Sequence, residues 1–149
     1  MGLFKKKHGR SPFMSEVHQR TLHKNLEFTA TEQYKLLRTN LTFTLPEGKC
    51  PVIGVTSSMR GEGKSTTAIN LSYVLAEKYP THKSGGNFNT VYGISLTLSA
   101  LSSIHKAVVA EMGMSALGEI SALTNIAHPD AAVITNIGTA HLEALGSRE

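Results

Sequence analysis

The sequence predicts an α/β fold, with a small parallel sheet of about three strands flanked by helices. Three observations carry this. Short runs rich in β-branched and small apolar residues recur at 52–56, 107–111 and 131–135. These runs alternate with stretches of helical apolar spacing, which implies crossover βαβ units and a parallel sheet. A glycine-rich loop, Ser57–Ser65, joins the first run to the first of those helices.

Taken in order, residues 1–29 show no sustained periodicity and read as a basic, loosely ordered, flexible tail. A leading helix starts near Thr31, whose hydroxyl can cap an orphan amide. Its apolar stripe is Tyr34, Leu37 and Leu41, widened by Leu36, and Pro46-Glu47-Gly48 turns the chain. After the strand at 52–56, residues 65–78 read as a helix with Ile69, Tyr73 and Ala76 on one stripe and Leu71, Val74 and Leu75 beside it. Pro80 ends this helix. Residues 81–92 read as a polar loop, 94–103 as a helix and 107–111 as a buried strand. A helix over 116–127 follows, with Leu117, Ile120, Leu123 and Thr124 inward, and Pro129-Asp130 leads into the third strand.

Composition narrows the class. The 149 residues are 40% hydrophobic and 17% charged, a folded rather than a disordered balance. A single cysteine, Cys50, excludes an internal disulfide and fits a reducing compartment. No apolar run is long enough to span a bilayer, and Met1–Lys7 lacks the apolar stretch of a secretory leader, so a cytoplasmic protein is expected. Residues 1–50 hold nine Lys/Arg against four Asp/Glu, and residues 51–149 hold six against seven. The basic tail is expected to make at most peripheral contact with a membrane. Phe4, Phe13 and Phe28 are too sparse for a base-stacking platform, so no nucleic-acid partner is expected.

The loop carries the chemistry. Gly63-Lys64-Ser65 matches the end of the G-x-x-x-x-G-K-[ST] pattern, with Ser58 where the first glycine is usual. Gly61 and Gly63 let the backbone approach a phosphate, and the amides of Gly61, Glu62, Gly63, Lys64, Ser65 and Thr66 can form an anion nest at a helix start. Lys64 can reach the outer phosphates and the Ser65 hydroxyl can ligate Mg²⁺. This makes the fold P-loop NTPase-like, with ATP and Mg²⁺ as expected cofactors.

Two resemblances follow. "EQYKLLRTNL" (32–41) and "VIGVTSSMRGEGKSTTAINLSYVLAE" (52–77) resemble bacterial tyrosine kinases of capsule and exopolysaccharide synthesis. That likeness implies self-association through Glu32, Lys35 and Arg38, with lysine where the family has a central arginine. It stops after Tyr79, without the further aspartates and the tyrosine cluster the family uses. "KYPTHKSGGNFNTVYGISLTL" (78–98) and "AVVAEMGMSALGEISALTNIAHPDAAVITNIGTAHLEALGSRE" (107–149) resemble the central domain of Mur ligases. The likeness is in particular to the members that join D-alanyl-D-alanine to UDP-N-acetylmuramoyl-tripeptide. It implies Glu111 and His141 as Mg²⁺ ligands, and Asn87, Asn89 and Asn136 near nucleotide or substrate.

The expected organisation is therefore a tail (1–29), a kinase-like helix and turn (30–50) and a P-loop ATP-binding domain (51–149). In the last, 51–78 is kinase-like and 79–149 Mur-ligase-like. The ligase's UDP-sugar domain, its carbamylated lysine and its C-terminal domain have no counterpart in these residues. The expectation is an incomplete, weakly active or inactive ATP-dependent acid–amino-acid ligase domain, with UDP-muramoyl-peptide as a candidate partner. A kinase-like regulatory ATP-binding module and a non-functional chimeric fragment are the alternatives.

Overall fold

A computed structural model describes residues 26–137. Four strands and four helices alternate after a leading helix-to-strand step: α1 (Phe28–Thr44), β1 (Val52–Thr56), α2 (Lys64–Ala76), β2 (Thr81–Lys83), α3 (Val91–Ser99), β3 (Ala107–Met112), α4 (Glu119–Ala127) and β4 (Ala131–Ile134). All strand pairs are parallel and the order is β2-β3-β1-β4.

Strand parity sorts the core into two layers. Ile53 and Val55 of β1 and Val109 of β3 pack with Leu41, Ala68, Leu71, Val74 and Leu75, from α1 and α2. Val52 and the alternate β3 residues Val108, Ala110 and Met112 pack with Ile94, Leu123 and Ala127, from α3 and α4. The sheet is thus covered on both faces, which is why β1 and β3 lack a polar alternation. Each fully buried aliphatic side chain, such as Leu71 or Ile53, contributes roughly 1.5–3 kcal/mol to this sandwich.

The sheet has four strands, one more than the sequence suggests. Residues 81–83 pair with Ala107–Val109 rather than forming a loop. Thr-His-Lys sits half-buried at the edge, so no apolar run announces it. Other expectations shift as well. α1 starts at Phe28, and the Thr31 hydroxyl bonds back to the Glu27 carbonyl instead of capping. Leu36 is exposed while Leu41 is buried. In α2 the buried stripe is Lys64, Ala68, Leu71 and Leu75 with Val74, while Tyr73 and Ala76 face outward, because the helix meets the sheet and α1 on that side. α3 begins at Val91 behind a Thr90 cap and ends at Ser99. α4 starts only at Glu119, which leaves Leu117 exposed ahead of it.

Arg38 departs most from its expected role. It is 8% exposed and donates from Nη1 to the Val74 carbonyl and to Glu77 Oε2. Its guanidinium is engaged by α2 of its own chain. Glu32 and Lys35 pair with each other at 2.9 Å on the exposed side of α1.

Candidate functional site: a phosphate loop at the sheet's switch point

The topology itself marks a crevice. From β1 the chain leaves through α2 on one face and passes β3 to reach β2. From β3 it leaves through α4 on the other face and passes β1 to reach β4. Connections that part from adjacent strands in opposite directions open a gap beyond the strands' carboxyl ends, where ligands of open α/β sheets sit. The loop after β1 and the end of β3 border this gap.

Gly61 and Gly63 take φ of +86° and +85°, the left-handed region, and Gly63 is the N-cap of α2. A residue with a Cβ would be strained at either place. The first turn of α2 therefore begins inside the loop, and its unpaired amides and positive helix end face the crevice. Lys64 is largely buried, with Nζ donating to Ser57 Oγ at 2.9 Å and to the Met59 carbonyl. Thr66 lies half-buried in the same first turn.

Period-two parity puts Glu111 on the α2 side of β3, in line with Val109. There the Ser65 hydroxyl donates to Glu111 Oε1 at 3.0 Å and Asn89 Nδ2 donates to the same oxygen at 3.3 Å. The Glu111 amide donates to Ser84 Oγ at 3.1 Å, and the Gly113 amide to the Asn89 carbonyl at 2.8 Å. A carboxylate only 6% exposed is thus held by three neighbouring segments. The Ser65 hydroxyl lies against this carboxylate, so the donor set is hard oxygen of the kind Mg²⁺ takes. Among the described residues no three His, Cys, Asp or Glu side chains cluster as a ready-made metal site.

Asn136, just past β4, donates from Nδ2 to Glu62 Oε1 at 2.6 Å. Glu62 Oε2 accepts from the Met59 amide at 2.6 Å and from Ser58 Oγ at 3.2 Å. Burial pushes the Glu62 carboxyl up, but hydrogen bonds from Met59, Ser57, Asn136 and Ser58 outweigh it and hold it below the usual carboxylate range.

The structure brings together Ser65, Glu111 and Asn89, and separately Glu62 and Asn136. Asn87 is exposed and meets this group only through its carbonyl, which accepts from the Asn89 amide. His141 lies outside the described residues. Sequence reading missed Ser84 and gave Ser57 no role beyond its place in the loop; both are buried and each holds a site side chain or its backbone. Isolated serines carry no pattern, although Ser57 does follow a strand end directly. A separate cleft of about 860 Å³, lined by Leu45, Cys50, Tyr79, His105 and Lys106 among others, lies at the opposite, amino end of the strands. It has none of the phosphate-loop geometry.

Comparisons with known proteins identify the family. The family model "Mur ligase middle domain" matches residues 61–149. A UDP-N-acetylmuramoyl-tripeptide–D-alanyl-D-alanine ligase of Bacillus subtilis is 53% identical over 98 residues, which is 66% of this chain and 21% of that protein. The corresponding ligase of Synechocystis is 42% identical over 97 residues, 65% of this chain and 21% of its own. Among solved structures, the MurF ligase from Thermotoga maritima in complex with ADP aligns with a TM-score of 0.57 and 35% identity, over 86% of this chain and 29% of that one. The chimerical protein CapA2B2 aligns with a TM-score of 0.54 at 14% identity, over 87% of this chain and 80% of that one, a likeness of fold alone. The chain spans about a fifth of the length of the curated relatives it matches. These comparisons give the tyrosine-kinase reading no support, and the family match begins at Gly61, so α2 falls within it. By that match over more than half its length, the chain belongs to the Mur ligase middle-domain family.

Proposed function

We propose that this chain is the MgATP-binding unit of a Mur-type ligase. The observation that carries it is the joining of a phosphate loop to a buried carboxylate, Ser65 Oγ to Glu111 Oε1 at 3.0 Å, at the sheet's switch point. The nucleotide's phosphates would lie against the amides of residues 61–66, with Lys64 swinging from Ser57 and Met59 to meet them. Ser65 and Glu111 would hold Mg²⁺, and Asn89 and Ser84 fix Glu111 for that task. When bound, MgATP supplies an electrophilic phosphoryl group with its charge neutralised by metal.

In the relatives, whose names describe joining D-alanyl-D-alanine to UDP-N-acetylmuramoyl-tripeptide, the acceptor is a peptide carboxylate. UDP-muramoyl-peptide is therefore the proposed substrate class, approached from the side of the loop bearing Asn87 and Asn89. No helix among the described residues is long and apolar enough to cross a membrane. We place the reaction in the cytoplasm, where its nucleotide substrates are made.

The test is a thermal melt of the full chain with and without MgATP, beside a Lys64→Met variant. Stabilisation at saturating nucleotide of about 2–3 kcal/mol is expected for wild type and little for the variant. Equal melting points for wild type with and without MgATP would overturn the reading.

A further inference from the structure

Glu62 stands in the loop between two left-handed glycines, Gly61 and Gly63. A carboxylate placed there carries the same sign as the phosphate the loop receives. The structure shows where that charge goes. Its oxygens accept from the Met59 amide, the Ser58 hydroxyl and the Asn136 amide group. The Glu62 carbonyl accepts from the Thr135 hydroxyl at 2.8 Å, and the Ser58 amide reaches the Asn136 carbonyl at 3.4 Å. Lys64 takes no part in this, since its ammonium goes to Ser57 and Met59. Residues 58–62 are thereby tied to residues 135–136 by three hydrogen bonds, and closed on themselves by the bonds from Met59 and Ser58 to Glu62, none of which involves Lys64 or Ser65.

We propose that Glu62 is a positioning residue, a latch that ties the phosphate loop to the segment after β4 and keeps the loop in its phosphate-receiving shape before nucleotide arrives. The proposal rests on the loop being the MgATP site and adds how that site is made ready. The carboxylate turns back onto the loop's own first residues, so it presents no acceptor to an incoming phosphate and leaves the 61–66 amides open. A loop already ordered loses less conformational freedom on binding, and affinity rises accordingly. The latch also puts Asn136 at the rim of the crevice with its amide direction set by Glu62.

The experiment uses the full chain. MgATP affinity is measured by calorimetry for wild type, Glu62→Ala, Glu62→Gln, Asn136→Ala and the Glu62→Ala/Asn136→Ala double variant. Amide hydrogen exchange of the nucleotide-free proteins is followed beside it. Glu62→Ala and Asn136→Ala should each weaken MgATP about tenfold, with the double variant no weaker than the worse single, because both remove one tie. Glu62→Gln should stay within about threefold, since its carbonyl can accept from Met59 and its amide can donate to a flipped Asn136. Without nucleotide, Glu62→Ala should lower protection of the Met59 and Ser58 amides about tenfold and leave the amides of α2 beyond its first turn unchanged. A merely structural role would move α2 and the melting point together and would not be rescued by glutamine. Unchanged affinity in Glu62→Ala, additive losses in the double variant, or unchanged protection at Met59 would each overturn the latch. Failure of wild type to bind MgATP would sink the nucleotide reading instead, and the exchange data would still decide the latch.

Discussion

Replacing Arg38 by alanine separates two roles for α1. In the structure Arg38 serves α2, whose last-turn carbonyls lack helical partners. The amide of Lys78, the donor four residues beyond Val74, turns to the Leu75 carbonyl, and Arg38 Nη1 takes the Val74 carbonyl. Stranding that buried oxygen costs about 1–3 kcal/mol. A cation at the negative end of a helix adds about 0.3–1 kcal/mol. The ion pair to Glu77 adds at most about 0.5–1 kcal/mol, because the Glu77 side chain is 51% exposed and its charge is screened. Against these stands the Arg38 Nε, buried without a partner, whose removal brings relief. The net expectation is a loss of about 2–3 kcal/mol, a fall in melting temperature of roughly 6–9 °C for a chain this size. Differential scanning calorimetry reads the fall, and Arg38→Met, which keeps the packed stem but strands the same Val74 carbonyl, should lose nearly as much. Sedimentation velocity on the same samples should show the same mass for wild type and variants. A melting point within 1 °C of wild type together with a changed mass would refute the intrachain role and restore α1 as an assembly surface.

Three further outcomes follow from the structure. Gly93→Ala would place a Cβ 2.5 Å from Phe88 Cα and 2.6 Å from its carbonyl carbon. The variant should lose about 3 kcal/mol or more in urea unfolding, where helix propensity alone would gain about 1 kcal/mol. Asp130 accepts from the Val52 amide at 2.9 Å and pairs with Lys49, whose bond, with the Val52 amide, outweighs burial and holds its carboxyl below the ordinary value. A depressed folded value stabilises above the unfolded one, so Asp130→Ala should cost about 1 kcal/mol above pH 5, with Lys49 too exposed to add much, and the difference should vanish as pH falls well below 4 in pH-dependent unfolding. Glu111→Ala should reduce the Mg²⁺-dependent part of ATP affinity at least about tenfold, and leave metal-free ATP binding near wild type in calorimetric titrations.

Much of the site was legible because its parts carry pattern. Gly61, Gly63, Lys64 and Ser65 stand in a motif whose spacing is imposed by phosphate geometry, and the structure gives both glycines the positive φ that explains them. Glu111 was found through resemblance, and strand parity then accounts for its meeting Ser65. The β1 and β3 runs were readable because burial on both faces demands apolar residues; β4, at one edge, is only half-buried yet still carries a short apolar run, whereas β2, at the other edge, has three half-buried polar residues. The stripe of α2 was misread by about one residue position. The helix is buried on two sides, by the sheet and by α1, and a wide buried arc blurs the period that marks one face. Arg38 carried an expected assembly contact only through the kinase resemblance, and its partner 36 positions away, the Val74 carbonyl, has no local signature in the sequence. The tie between Glu62 and Asn136 spans 74 positions, so no local pattern could have joined them.

The central claim is that the phosphate loop and Glu111 form one MgATP site in this chain. Isothermal titration of the full chain with ATP, in the presence and absence of Mg²⁺, tests it most directly. The account predicts saturable one-to-one binding that tightens with Mg²⁺ and is lost in Lys64→Met. Absence of binding heat, confirmed at two temperatures on protein shown by circular dichroism to be folded, would contradict it.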